Sequence, residues 1–567
     1  MAEPMRPPRS PIGVARRLVL SATACWGPYC GSAAAAAPDC GTVIVPTGLG
    51  VSMPAPPASL NPLLSNSLYL IEVMGQVLRQ LAWFRPDGTA DWDKGVAAAI
   101  DTPDDGSHFV VTLHDWRWSD GTPITADDLL FTLSLIRELG PSYVNWGSGG
   151  MPALIASARA LDVRRVELTM TRKVNPDWFV SLALGNGFFV LPKHVFAGLS
   201  PIELRRRQND PALFAVGDGP FRIADYALGR HIVLEPNPYW GGARPQVRRL
   251  VVSFPNGNAA LEQLRTGQLD AATVPFLLTG FASRLPGFHP VPREPDTAYN
   301  DGVINYASLR APFLRDLPVR RAITRAIDQK EIVSLVYRGA GVIGHGPVPP
   351  AMRSYLSPAA RASYPDLSFD PADASRLLDA AGWRVSSQDG IRSRNGTRLA
   401  FEVMVSAEAG STVLMAEILQ RQLARVGIEL SLRTMSFNQL YATMMGNGHE
   451  WDMAILGWSV IGYPDLHDFF ATDGTQNFGH YRDPNMDRLA EGEMFGSGNA
   501  PLFAAQDYAA ENVLALYLPT GTFPVLARNG LGGMDGTLTA NDLWATERIT
   551  LSGPLACPAA AKEADHS

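Results

Sequence analysis

Cysteine is scarce in this chain: Cys25, Cys30, Cys40 and Cys557 are the only four among 567 residues. No two of them form a C-x-x-C pair, which argues against a structural zinc site, and no metal ligands are assigned. Apolar runs of the roughly eighteen residues that a spanning helix needs are also missing. Positive charge is not in excess, since 48 Lys and Arg face 55 Asp and Glu for a net charge of -7. With no basic stripe either, a nucleic-acid partner is excluded. The signatures of common catalysts are absent: no G-x-S-x-G elbow, no H-E-x-x-H and no Walker A loop. His449-Glu450 lacks a second histidine at helical spacing. The acid pairs Asp104-Asp105 and Asp127-Asp128 stand at a turn and a helix start, where capping or solvation accounts for them. The chain does not read as an enzyme, and it calls for no cofactor.

What is present is the composition of an ordinary globular protein, with 46% hydrophobic and 18% charged residues. The length exceeds what one core can organise and implies several domain-sized units. The first forty residues read as an export signal. Arg6, Arg9, Arg16 and Arg17 make a basic region, Leu18–Ala24 is a short apolar one, and Ala33–Ala37 offers small residues for cleavage. A disordered Ala/Pro-rich tail is the plain alternative. Arg16-Arg17 leaves a twin-arginine signal open, and Thr23-Ala24-Cys25 a lipid anchor at Cys25; simple secretion is the favoured reading. Cleavage near Ala37 would leave Cys40 and Cys557, one at each end of the mature chain, free to pair in an oxidising compartment.

The most organised stretch runs from His108 to Pro141. Phe109, Val111 and Leu113 alternate as in a half-buried strand, Asp120-Gly121 supplies a turn, and Thr125 with Asp128 makes a capping box ahead of a helix that Gly140-Pro141 stops. Further strands are expected at Gly41–Pro46, Leu161–Met170, Arg222–Tyr226 and His231–Glu235. Helices are expected at Leu68–Leu81 and, as one apolar stripe, Val319–Tyr337. Two strand–helix–strand units stand out, each calling for a parallel pair. One joins Leu250–Phe254 to Leu269–Val274 through a helix capped by Asn258. The other joins Leu399–Val405 to Ile428–Thr434 through a helix capped by Ser411. Ser436 caps one more short helix, and Trp451–Trp458 reads as a buried strand.

The wording W-x-DGTP-x-TADD, from Trp118 to Asp128, resembles the signature segment of family 5 extracellular solute-binding proteins, the peptide, nickel and oligosaccharide receptors of ABC importers. FVLPKH ending at His194, GDGPF at 217–221, NPYWGG at 237–242, PVRRAITRAIDQKEIV at 318–333 and DPADASRLLDAAGW at 370–383 resemble family segments in the same order. The resemblance spans about residues 41 to 555. It implies an α/β, periplasmic-binding-protein-like fold, two lobes with an extra inserted domain. The parts would be a first domain at 38–79, 191–295 and 519–567, a second at 80–190 and a third at 296–518. It implies a secreted, periplasmic and monomeric receptor that captures a peptide or peptide-like solute between lobes and delivers it to the membrane permease of an ABC importer. Nickel-chelate, oligosaccharide or opine-like ligands are the alternative, and a secreted hydrolase a distant one.

The resemblance also carries over ligand contacts. Gly457, Trp458, Ser459 and Val460 match the segment whose tryptophan and backbone line the site, and Asn66, Ser67 and Leu68 follow the family's L-[DN]-P. Asn305 lies where the family chain returns between domains. Tyr143 and Trp146 are added from the residues themselves, being aromatics in a Gly/Ser loop with no element face to bury them. Peptide receptors of the family place an aspartate about three residues after the tryptophan, to pair with the ligand's α-ammonium. Here that position is Ile461, and Asp465 and Asp468 come later. Weak binding of plain short peptides, and tighter binding of ligands with a blocked or absent amine, is the expectation that follows.

Overall fold

The computed structural model describes residues 40–557 apart from 50–55, 66, 86, 186, 255–258, 294–296, 447, 461 and 536–544. The expected export signal, with Cys25 and Cys30, lies outside the described residues, as do Asn66, Asn258 and Ile461. Among the described residues no helix is long and apolar enough to cross a membrane.

Alternation dictates the strand His108–Leu113, which buries Phe109, Val111 and Leu113 and leaves its other side chains half-buried. It lies in an antiparallel sheet of order Ala97–Asp101, His108–Leu113, Arg165–Met170, Ile155–Ala160. The strand expected at Leu161–Met170 therefore begins only at Arg165, because Asp162 accepts the Arg164 and Arg165 N–H groups, each at 2.9 Å, in a tight hairpin. After the turn at Gly121, Thr125 N–H donates to Asp128 Oδ2 at 2.9 Å and the helix Ala126–Leu139 follows. Asp128 also accepts the Lys193 N–H at 2.8 Å, and Asp120 meets His194 Nε2 at 2.7 Å. The TADD and LPKH segments thus form one unit, and their acids tie backbone together.

Three further sheets carry most of the remaining strands. One runs in the order Thr42–Pro46, Arg249–Ser253, His231–Pro236, Phe221–Ala227, its first pair parallel. A small antiparallel one sets Val525–Arg528 between Phe288–Val291 and Ala271–Thr273. The five-stranded mixed sheet has the order Glu429–Met435, Ala400–Ser406, Met453–Ser459, Ala298–Ile304, Ala515–Leu518. Buried apolar side chains gather chiefly in two clusters, the larger including the first sheet and the stretch 70–214, the other beneath the five-stranded sheet and its helices.

Three expectations are corrected. The helix at Leu68 ends at Met74: beyond it, Gln76 and Val77 turn their carbonyls to Phe221 and Gly219 N–H, at 3.0 and 2.8 Å, so tertiary pairing overrides the apolar period. The stripe over Val319–Tyr337 is two helices, Leu317–Ala326 and Gln329–Tyr337. The Asp328 side chain caps the second by accepting Lys330 and Glu331 N–H. Of the two parallel units, the one joining Ala400–Ser406 and Glu429–Met435 through helix Gly410–Ala424 is present. The other is not, because Thr42–Pro46 takes the parallel place beside Arg249–Ser253, and Ala271–Thr273 pairs antiparallel with Val525–Arg528.

At the chain's ends Cys40 is disulfide-bonded to Cys557, their Cα atoms 4.7 Å apart, and Gly41 N–H donates to Leu555 O at 2.9 Å. The bond closes a loop across 517 positions. Peptide mapping of the unreduced mature protein should recover the two cysteine peptides joined, and reduction should lower stability by about 2–4 kcal/mol. Alkylation of both thiols before reduction would contradict the pairing.

Candidate ligand-binding cleft

Strands Ala400–Ser406, Glu429–Met435 and Met453–Ser459 run parallel, so their carboxyl ends share one edge of the five-stranded sheet. Open α/β sheets bind ligands beyond that edge, and a cavity of about 860 Å³ opens there. Leu456 and Gly457 from the end of one strand, and Ser406 and Glu408 from the end of another, form one wall. The facing wall comes from Pro46, Tyr69 and the stretch around Thr273–Leu277. A Cβ on Gly457 would stand 3.1 Å from Asn300 Oδ1, a tight fit that suits glycine at the lining.

The wall is apolar apart from a few groups. Phe437, half exposed, directly follows the cap of helix Phe437–Met444 and faces the cavity, as do Phe276 and Leu277. Glu408 Oε2 accepts the Ser406 hydroxyl at 2.6 Å and the Phe437 N–H at 3.0 Å. The Ser406 hydroxyl foremost, with that backbone donor, holds the Glu408 carboxyl below its ordinary range.

The residues expected at the site divide. Gly457 lines the cavity. Trp458 does not line it: its ring packs on Phe469 and Phe478, with centroids 4.7 and 6.1 Å away, and its Nε1 donates to Asp301 Oδ1 at 2.8 Å. Burial pushes the Asp301 carboxyl up to about 7 against the pull of that indole N–H. Ser459 is exposed beside the cavity, and Val460 is buried with its N–H donating to Thr297 O at 3.1 Å; neither lines the cavity. Ser67 caps the helix Leu68–Met74 by accepting the Leu70 N–H, and the cavity residue from this stretch is Tyr69.

Tyr143, expected on a free loop, is packed in the larger core, so it makes no wall of the cavity. Trp146 is 42% exposed and lies outside the lining. Asn305 is buried, its amide donating to Gly448 O and Trp451 O at 2.5 and 2.6 Å, which closes a turn and leaves nothing for a solute. Asp465 and Asp468 do not reach the cavity. Asp465 caps helix Leu466–Phe470, and burial, with Asp468 nearby, pushes its carboxyl up to about 6. Asp468 accepts from Thr475 and Gln476 in its own loop.

Residues 91–479, more than half of the chain, match the family described as bacterial extracellular solute-binding proteins, family 5 middle. The chain belongs to family 5 of the bacterial extracellular solute-binding proteins. This solute-binding protein is 25% identical over 436 residues to the oligopeptide-binding protein AppA of Bacillus subtilis, covering 76% of this chain and 78% of that one. It is 29% identical over 440 residues to the oligopeptide-binding protein OppA of Mycobacterium tuberculosis, covering 75% and 71%. The structure of B. subtilis AppA with a nonapeptide superposes at a TM-score of 0.70, with 22% identity over 90% of this chain and 99% of that one. That of NikZ from Campylobacter jejuni with Ni(L-His) superposes at 0.72, with 22% identity and the same coverage. The family 5 member therefore has the periplasmic-binding-protein-like α/β fold. Gly457 was named from the sequence, whereas Tyr69, Glu408 and Phe437, which also line the cavity, were not. The one signal for the last was a bulky aromatic placed directly after the helix cap Ser436.

Proposed function

We propose that this solute-binding protein captures a peptide or peptide-like solute in the cleft at the sheet edge and hands it to the membrane permease of an ABC importer. The observation that carries the reading is the cavity of about 860 Å³ between walls from widely separated parts of the chain. It is large enough for several residues of an extended solute, apolar along most of its surface, and bordered by the exposed backbone of Gly457. Two relatives named for oligopeptide binding support it.

The working organisation is three domains, the first at 38–79, 191–295 and 519–567, the second at 80–190 and the third at 296–518, with export directed by residues 1–37. The protein acts as a monomer outside the cytoplasmic membrane. Of the carried-over contacts, Asn66 and Gly457 belong to this proposal. Native mass spectrometry of protein purified without refolding should reveal a co-purifying peptide. Small-angle scattering should show a smaller radius of gyration with that peptide bound than after its removal, because hinge closure buries the solute. An unchanged radius at saturation would overturn closure.

A further inference from the structure

We infer that the cleft selects solutes carrying a positive charge and that Glu408 is the residue that reads it. The inference deepens the peptide reading and rests on it. Glu408 is the one charged side chain among the described residues of the cavity lining, and no lysine, arginine or histidine stands with it there. It is exposed, it forms no ion pair with any described residue, and the hydrogen bonds from Ser406 and Phe437 both go to Oε2.

Its position is fixed rather than floppy. Ser406 belongs to the end of strand Ala400–Ser406 and Phe437 to the start of helix Phe437–Met444, so two elements grip the same oxygen. Both donors favour the ionised form, as does the start of the helix Gly410–Ala424 two residues on. A fixed anion with no counter-ion among the described residues, in a mostly apolar cleft, has a definite preference. Closing the cleft on an anionic solute brings like charges together away from water. Closing it on an ammonium or guanidinium makes a charge-assisted hydrogen bond to Oε1. The rest of the lining, Phe437 and Leu277 among it, suits apolar groups accompanying that cation.

The family's aspartate after the tryptophan is replaced here by Ile461. Glu408 supplies an acid from a different element, and the cation it meets is either the solute's amino terminus or a basic side chain. Four leucine-rich tetrapeptides of equal length decide between these sources by calorimetry on the full mature chain. One is N-acetylated and C-amidated, one has a free amino terminus, and two are blocked at both ends with an internal lysine or an internal glutamate. The free-amine or the lysine peptide should bind at least tenfold more tightly than the neutral and glutamate peptides, and whichever gains identifies the source. Glu408→Gln keeps the acceptor for Ser406 and Phe437 and should bring the cationic peptide down to the neutral peptide's affinity. Equal affinities for cationic and anionic peptides, or a cation preference that survives in Glu408→Gln, would overturn the inference alone. Failure of all four to bind would overturn the peptide reading and this inference with it.

Discussion

Glu547→Ala is expected to destabilise the protein by about 3–5 kcal/mol, because it removes the anion from a buried group of two cations. The Arg79 side chain is wholly buried and its Nη2 lies 3.1 Å from Glu547 Oε2, while Lys94 Nζ binds the other carboxylate oxygen. Arg79 also sits over the rings of Trp83 and Trp240, 4.7 and 5.2 Å from their centroids, which leaves it no route to water. Burial foremost, then the Arg79 charge, lowers the Lys94 ammonium. Burial opposes ionisation of Glu547 as well, yet the Arg79 and Lys94 charges hold its carboxyl below the usual range. Without that carboxylate two like charges face each other in the interior. Urea denaturation at neutral pH measures the loss, and a change below about 1 kcal/mol would mean that water reaches the pair. The sign with pH follows from the depressed folded value. The stabilisation is present above the ordinary carboxylate range and is lost as pH falls through the lower folded value, so the native protein and Glu547→Ala should converge in acid.

Asp301→Asn is expected to act in the opposite direction. Asp301 is buried, accepts one hydrogen bond from Trp458, and has no cation beside it among the described residues. Burial raises its carboxyl to about 7, so the folded state holds the proton more tightly than the unfolded chain. Stability from this group is therefore full below the unfolded carboxylate value and is lost as pH rises through about 7. Asparagine keeps an oxygen for the indole N–H and cannot ionise. At about pH 8 the variant should be the more stable by roughly 2–4 kcal/mol, and the difference should shrink steadily as pH falls toward about 4. Asp218 and Asp465 are also raised, to about 7 and about 6, but they are common to both proteins and cancel in the comparison. A variant equally destabilised at both pH values would show that the second carboxylate oxygen has a partner that asparagine cannot serve.

Local chemistry was legible in the sequence wherever a residue acts on its own neighbours. The Thr125–Asp128 box, the Ser436 cap, and the alternation of Phe109, Val111 and Leu113 all appear in the structure as spacing and side-chain type dictate. Contacts made across the chain were not. No period near residue 250 reveals that Thr42–Pro46 occupies the parallel slot, and none near Leu68 reveals that Gly219 and Phe221 draw off the next turn. Tyr143 illustrates the same limit, since a glycine-rich loop hides an aromatic that a distant core absorbs. At the site, Glu408 looked like any solvated acid. Only the spatial meeting of Ser406 with Phe437 distinguishes it.

The five-stranded sheet is entered by the strand Ala298–Ile304 and left by Ala515–Leu518, which pair antiparallel, and the small sheet pairs Phe288–Val291 with Val525–Arg528 in the same sense. Gly341–Val342 adds a short third strand to the passage at Thr520–Gly521. Each of these sheets thus holds one strand from either passage, paired antiparallel with the other. One crossing would act as a swivel, free to turn in every direction. Two passages tied by antiparallel pairing at both ends behave as a strap: they flex readily out of their own plane and resist twisting or sliding within it. The closure proposed above would thereby be steered along one arc, returning Gly457 and Glu408 to the same place in a cavity that Leu277 also lines.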